Sequence, residues 1–241
     1  LSSCFRAVHG WFSENGLALN PDKSEVIVVG TGARNRREGE IGMTTLGDTQ
    51  IPVSKTVKSL GITLDDKLSF NTHVDNVCKA AHFHIRALRH IRGCIDEETA
   101  CMVASSMVGS HLDCCNSVLH GTSAEDLGKL QRVLHALARV VSGTRRSDHI
   151  TPVLARLHWL PIAARITFKI ALLTFKAITT KKPEYLAEML DFQATPRTLR
   201  SSSRNRLHVK VAKTVFASHA FRHAAPSIWN NLPTHLTDLS L

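Results

Sequence analysis

Three groups of residues have the types and spacing to do chemistry. The first is Leu64-Asp65-Asp66, adjacent carboxylates at the end of a strand-like run. Two-metal phosphoryl transfer needs carboxylates converging from different strands on ions roughly 4 Å apart. The candidate upstream partners do not suit that role: Asp48 lies in a Gly-rich stretch and Asp22 in a turn. The pair therefore reads as a strand-end turn with solvated acids. The second group is His111-Leu112-Asp113-Cys114-Cys115, with His120 further on. Zinc takes four N or S ligands, usually in two separated pairs. Adjacent cysteines chelate one ion poorly, and no C-x-x-C knuckle occurs elsewhere. No metal site is expected. The third group is Lys79, His82, Arg86 and Arg89, which recur at three and four and so share one face of a helix. Its chemistry is contact with phosphate, the sequence-tolerant part of nucleic-acid binding. Gly-rich phosphate loops and G-x-S-x-G elbows are missing from the sequence.

The elements that must carry these groups follow from period and capping. Phe5, Val8 and Phe12 give residues 1–13 a helical spacing, stopped by Asn15-Gly16. Asn20-Pro21-Asp22 is turn chemistry, and Glu25 to Val29 is a β-branched run ended by Gly30. Residues 31–49 read as a loop or hairpin. Ile51 to Leu64 reads as two short strands, the second being Ser59 to Leu64.

After Leu68 the period changes from two to three and four. Val74, Val77, Ala81, Ile85, Leu88 and Ile91 form a core-facing stripe on a helix over 71–92, with the basic face on its other side. Asp96 and Ser123 are N-caps for the next helices, and Leu127, Leu130, Leu134, Leu137 and Val141 point inward on the second of these. Pro161 opens a helix running to about Ile178. A last helical stretch, Val211 to Ala225, is expected to end before Pro226, with Trp229 an apolar anchor beyond it.

Charge points to a polyanion. The 241 residues carry 30 Lys+Arg against 20 Asp+Glu, a formal +10. Residues 1–150 hold 17 Lys+Arg and 16 Asp+Glu, whereas residues 151–241 hold 13 and 4. The excess therefore sits in the last part of the chain, and such an imbalance usually meets nucleic acid. Residues 193–206 concentrate it: Arg197, Arg200, Arg204 and Arg206 with three consecutive serines and no acid, an exposed basic loop. Apolar runs are too short for a membrane span or a signal peptide, and the six cysteines form no disulfide framework. An intracellular, reducing compartment is expected. The chain begins at Leu1 rather than Met, and both ends read as cut.

Several ordered blocks resemble one family. Trp11 to Glu25 (WFSENGLALNPDKSE) resembles the segment following the catalytic aspartates in reverse transcriptases of LINE-type, non-LTR retrotransposons, especially the jockey-like and chicken-repeat-like groups. Ser59 to Asp65, with Leu68-Ser69-Phe70 and His73, is similar to the next block, the primer-grip hairpin leading into the thumb. His111 to Leu119 is similar to a block in which a Tyr usually stands where Cys114 stands here. Asp148 to Pro152, Leu157 to Pro161 with Arg165-Ile166 and Phe168-Lys169, and Ala220-Phe221, Ala225-Pro226 and Trp229 to Pro233 complete the series.

The resemblance implies an α+β fold: a strand-bearing end of the palm over 1–70, a helical thumb over 71–145, and a basic, mainly helical region over 146–241. It implies RNA-directed DNA synthesis for the parent polymerase, with the catalytic aspartates lying before Leu1. This chain alone is expected to bind template and primer, an RNA–DNA hybrid, without catalysing. Lys23 falls where such polymerases often place a lysine near the leaving pyrophosphate as a proposed general acid; a turn lysine is the plain alternative. Leu60 and Gly61 match the primer grip, where a glycine lets backbone approach the primer terminus. Lys79, His82, Arg86 and Arg89 fall on the thumb helix. No cofactor is expected in this chain, Mg²⁺ being needed only by the full-length polymerase. The implied partners are the RNA template, the DNA primer and the upstream palm and fingers, with no membrane. The implied setting is a cytoplasmic and nuclear ribonucleoprotein. The competing reading is a folded structural or interaction module, or an inactive relic, with no nucleic-acid role.

Overall fold

The computed structural model describes residues 2–30, 43–46, 49–193 and 205–237. The fold is α+β, and the chain divides into two compact units, Leu1–Asp75 and Asn76–Leu241.

The first unit opens with α1 (Ser2–Glu14), which Gly16 ends at φ +69°, a value glycine reaches without strain. A 3₁₀ turn, Pro21–Lys23, is held by Asn20, whose Oδ1 accepts from the Asp22 N–H at 3.0 Å. Strands β1 (Val26–Ile27), β2 (Met43–Leu46) and β3 (Thr49–Ser54) form a sheet in the order β1-β3-β2. β1 runs parallel to β3, and β2 pairs antiparallel with it. β1 is shorter than the expected run of Glu25 to Val29, because it finds partners only in Val53 and Ser54.

β4 (Thr56–Ser59) and β5 (Ile62–Asp65) form a separate hairpin in which Ser59 faces Ile62 and Thr56 faces Asp65. The expected continuous strand over Ser59 to Leu64 is thus broken by a two-residue turn. Leu60 and Gly61 have φ +47° and +88°, both left-handed as this class of tight hairpin requires.

Helix α2 (Asn71–Ile91) crosses the boundary between the units. Val74, Ala81, Ile85 and Leu88 are buried as its stripe predicts, but Ile91, the last residue of the helix, is 48% exposed. In the second unit follow α3 (Glu97–Ala104), a π-helical turn Ser105–Gly109, α4 (Ser110–Asp113), a 3₁₀ turn Asn116–Leu119, and α5 (Ala124–Ser142). Asp96 and Ser123 cap α3 and α5 through the Thr99 and Asp126 N–H groups. Next come α6 (Thr151–Arg156), α7 (Ile162–Thr180) and α8 (Glu184–Ala187). The core lies between α5, carrying Leu130, Val133, Leu134 and Leu137, and the Ile162, Ile166 and Ile170 face of α7.

The chain closes with α9 (Val215–Ser218), α10 (Phe221–Asn230) and α11 (Thr234–Thr237). Here the expected helix end before Pro226 is corrected: Pro226 lies inside α10. An interior proline forfeits a backbone hydrogen bond and costs about 3 kcal/mol. Burial of Ala224, Ala225, Pro226 and Trp229 against α7 offsets that. Trp229 packs with Ile178 and Leu207, and its Nε1 donates to the Asn205 carbonyl at 2.8 Å. Among the described residues no helix is long and apolar enough to cross a membrane.

Candidate nucleic-acid interface

The basic face of α2 forms as its spacing predicts: Lys79, His82, Arg86 and Arg89 are all exposed, on the side of the helix away from the Ala81, Ile85 and Leu88 line. From Asn76 to Ile95 the sequence has no acid, so nothing in this stretch neutralises the face.

Arg89 also belongs to a second feature, one not legible from α2 alone. It lines an open concavity of about 800 Å³ together with Arg92, Arg132, His135, Arg139 and Arg146. Among the described residues no carboxylate lines this space. α5 supplies Arg132, His135 and Arg139, because positions three and four apart fall on one face while the leucines hold the opposite side in the core. Gly143, left-handed at φ +68°, ends α5 and turns the chain so that Arg146 returns to the rim.

The five arginines divide by what they already hold. Arg92 is committed to the fold: its Nε donates to the Val141 carbonyl at 2.9 Å and its Nη1 to that of Ile95 at 2.8 Å. Arg139 is committed as well, donating to the carbonyls of Arg145 and Asp148. Arg89, Arg132 and Arg146 are exposed and their side chains make no hydrogen bond or ion pair among the described residues. Their guanidinium groups are available to an anionic ligand. Burial, reinforced by the charge of Arg139, holds the His135 imidazole below its usual range, and its Nε2 lies 2.7 Å from the Gln131 amide nitrogen. His135 thus favours the neutral form, and the arginines carry the charge.

The remaining predicted residues lie elsewhere. Lys23 is exposed on the 3₁₀ turn of the first unit, and Leu60 and Gly61 form the tip of its hairpin. Among the described residues, chain neighbours aside, nothing lies within 4 Å of the place a Cβ would take at Gly61, so its glycine serves the turn geometry. Arg197, Arg200 and Arg204 fall outside the described residues. Arg206 is exposed, and its carbonyl accepts from the Gln193 N–H at 2.9 Å, beside a bridge between Phe192 and Leu207. The two ends of the expected basic loop are therefore clipped together rather than free.

Asp65 requires a correction. It is 8% exposed, not a solvated acid. Its Oδ1 accepts from the N–H groups of Lys67 and Ser69 at 3.0 and 2.9 Å, and its Oδ2 from that of Phe70 at 2.7 Å. Burial pushes the carboxyl up, but the bonds from Ser69, Phe70 and Lys67 together outweigh it and hold it below the ordinary 3.8. With both oxygens so engaged, Asp65 does not fit the role of a Mg²⁺ ligand. The two histidines of the Cys-His group go to different partners: His111 stacks on His84, with ring centroids 5.3 Å apart, while His120 meets His219 edge-on. Among the described residues no three His, Cys, Asp or Glu side chains are grouped to hold a metal.

Comparison with protein-family models, with curated proteins and with solved structures finds no match to this chain.

Proposed function

We propose that the second unit binds nucleic acid through its phosphates, in the manner of a polymerase thumb. The observation that carries this reading is the acid-free concavity with five arginines, three of them holding no partner in the fold. Arg89 joins it to the basic face of α2, giving a run of positive charge from Lys79 to Arg146. Such a surface attracts a polyanion over a distance of about one Debye length and positions it without reading sequence. Contacts of this kind suit an enzyme that must hold any template. The ordered sequence blocks support assigning the parent protein to the non-LTR reverse transcriptases, with RNA template and DNA primer as ligands and Mg²⁺ bound by the upstream catalytic portion. By the same resemblance the catalytic aspartates belong to that upstream portion, and Asp65 here is taken up by backbone N–H groups, so the isolated chain is expected to bind without catalysing.

Fluorescence anisotropy with labelled RNA and RNA–DNA hybrid across a salt series tests the proposal. Each neutralised phosphate of a single strand contributes about −0.7 to the slope of log K against log salt. Removing Arg89, Arg132 and Arg146 together should flatten that slope by roughly two units. Salt-independent binding would rule out the phosphate contacts, and no binding at low salt would leave a folded module with no nucleic-acid role.

A further inference from the structure

Phe83 stands on α2 on the side opposite the buried Ala81, Ile85 and Leu88 line, and it is 62% exposed. Single exposed apolar residues are common on protein surfaces. The setting of this one is not. Lys79 precedes it by four residues and Arg86 follows it by three, so both cations flank the ring on the same face. The ring does not stand alone either. Its edge meets the His84 imidazole at a centroid distance of 5.4 Å and an interplanar angle of 80°. His84 in turn stacks on His111 of α4 at 5.3 Å and 19°. Three rings thus run from solvent to the neighbouring helix, and the outermost presents itself between two cations.

An aromatic face flanked by cations suits a ligand with alternating planar apolar groups and anions. A nucleic-acid strand has that pattern, its bases stacking on the ring while the adjoining phosphates meet the cations. In a duplex the base faces are already covered by their neighbours. We propose that Phe83 is a base-stacking platform, and that the nucleic acid taken by this face of α2 is single-stranded. This rests on the phosphate-binding reading above, and it assigns to this face of α2 an unpaired strand rather than the RNA–DNA hybrid.

The two layers separate experimentally. Anisotropy is measured at fixed low salt with oligo-dT, with an abasic oligonucleotide of equal length, and with a duplex. The chain should bind oligo-dT more tightly than either of the others. Phe83→Ala should weaken oligo-dT roughly 5- to 160-fold, the range for losing one base–aromatic stack. Abasic binding and the salt slope should not change. Phe83→Trp, which keeps a stacking face, should retain oligo-dT binding, whereas Phe83→Leu should behave like the alanine variant. The stacking proposal is overturned if Phe83→Ala leaves oligo-dT binding intact, or weakens oligo-dT and the abasic strand equally. Equal affinity for duplex and oligo-dT overturns it as well. Failure of all three probes to bind overturns the phosphate reading together with it. The site is exposed, so loss of fold does not confuse the comparison; circular dichroism of each variant checks this.

Discussion

Arg165 and Asp113 lie 52 residues apart in sequence and form an ion pair at 2.8 Å. The Arg165 side chain is 15% exposed and also donates through Nε to the Leu160 carbonyl at 2.8 Å. The other Asp113 oxygen accepts from the Asn116 side chain at 3.3 Å. One arginine thus joins the His111–Leu119 segment to the Leu160-Pro161 turn that opens α7. Two sequence stretches quoted above as separate blocks are parts of a single structural joint.

Arg165→Ala should therefore lower the unfolding free energy by about 1–2 kcal/mol, a range kept modest because the Asp113 side chain is 44% exposed and screened by water. Arg165→Lys should recover only part of it, since an ammonium cannot serve Leu160 and Asp113 together as the planar fork does. Urea unfolding followed by tryptophan fluorescence reports both.

The turn after β5 depends on Asp65 in the same direct way. Leu68 and Phe70 have φ +51° and +62°, conformations unfavourable for their side chains. The three N–H bonds to the Asp65 carboxylate hold them there. Asp65→Ala should cost about 2–4 kcal/mol and accelerate hydrogen exchange at the Lys67, Ser69 and Phe70 amides. Primer extension by the isolated chain should be at background in both forms.

Acid should weaken the first unit in two steps. Burial lowers the His73 pKa below 6.5, and its Nδ1 lies 3.4 Å from the Thr63 N–H, as an acceptor requires. Below pH 6.5 the unfolded chain takes up a proton that the native imidazole resists, so stability falls with pH from that point. The Asp65 contribution has its own window. Its folded value lies below 3.8, so its stabilisation is full above 3.8 and is lost as pH falls through the lower folded value. Amide exchange across β5 and the first turn of α2, measured from pH 7 to pH 3, should show both steps. His73→Leu should remove the first alone.

How much of this was legible in the sequence follows from how local each cause is. The α2 stripe as far as Leu88, its basic face and the Asp96 and Ser123 caps are set by residues within one or two turns, and they appear where expected. The hairpin tip was hidden because Leu60-Gly61 lacks the Asn or Asp that usually announces a left-handed turn. Pro226 misled because tertiary packing of Trp229 and its neighbours overrides a local rule. Asp65 passed for a solvated acid because its partners are backbone N–H groups, which no side-chain pattern reveals. The arginine concavity assembles from three segments, so charge counting over residues 1–150 averaged it away against acids placed elsewhere. Its one sequence signal was Arg132, His135 and Arg139 at spacings of three and four on the polar side of α5.

A further gain should come at the hairpin tip. Leu60 is 95% exposed and left-handed, so it contributes little packing and carries backbone strain. Leu60→Asn should stabilise the β4–β5 hairpin by about 1 kcal/mol, seen as slower amide exchange at Ile62 and Thr63. An unchanged or faster exchange rate would show that the leucine is held by an interaction other than the turn itself.

The arginines of the concavity should separate into two classes when removed singly. Arg92 bonds the Val141 and Ile95 carbonyls, so Arg92→Ala leaves two acceptors without their charged donor. That should cost about 1.5–3 kcal/mol of stability. Arg89 is exposed and its side chain holds no partner among the described residues, so Arg89→Ala should change stability by less than about 0.5 kcal/mol. In binding the order reverses. Arg89→Ala should flatten the salt slope by about 0.7, the share of one phosphate on a single strand. Arg92→Ala, at a temperature where it is still folded, should leave that slope nearly unchanged, because its donors face carbonyls rather than ligand. Equal effects of the two variants on both stability and slope would mean that the concavity is a structural surface rather than a ligand site.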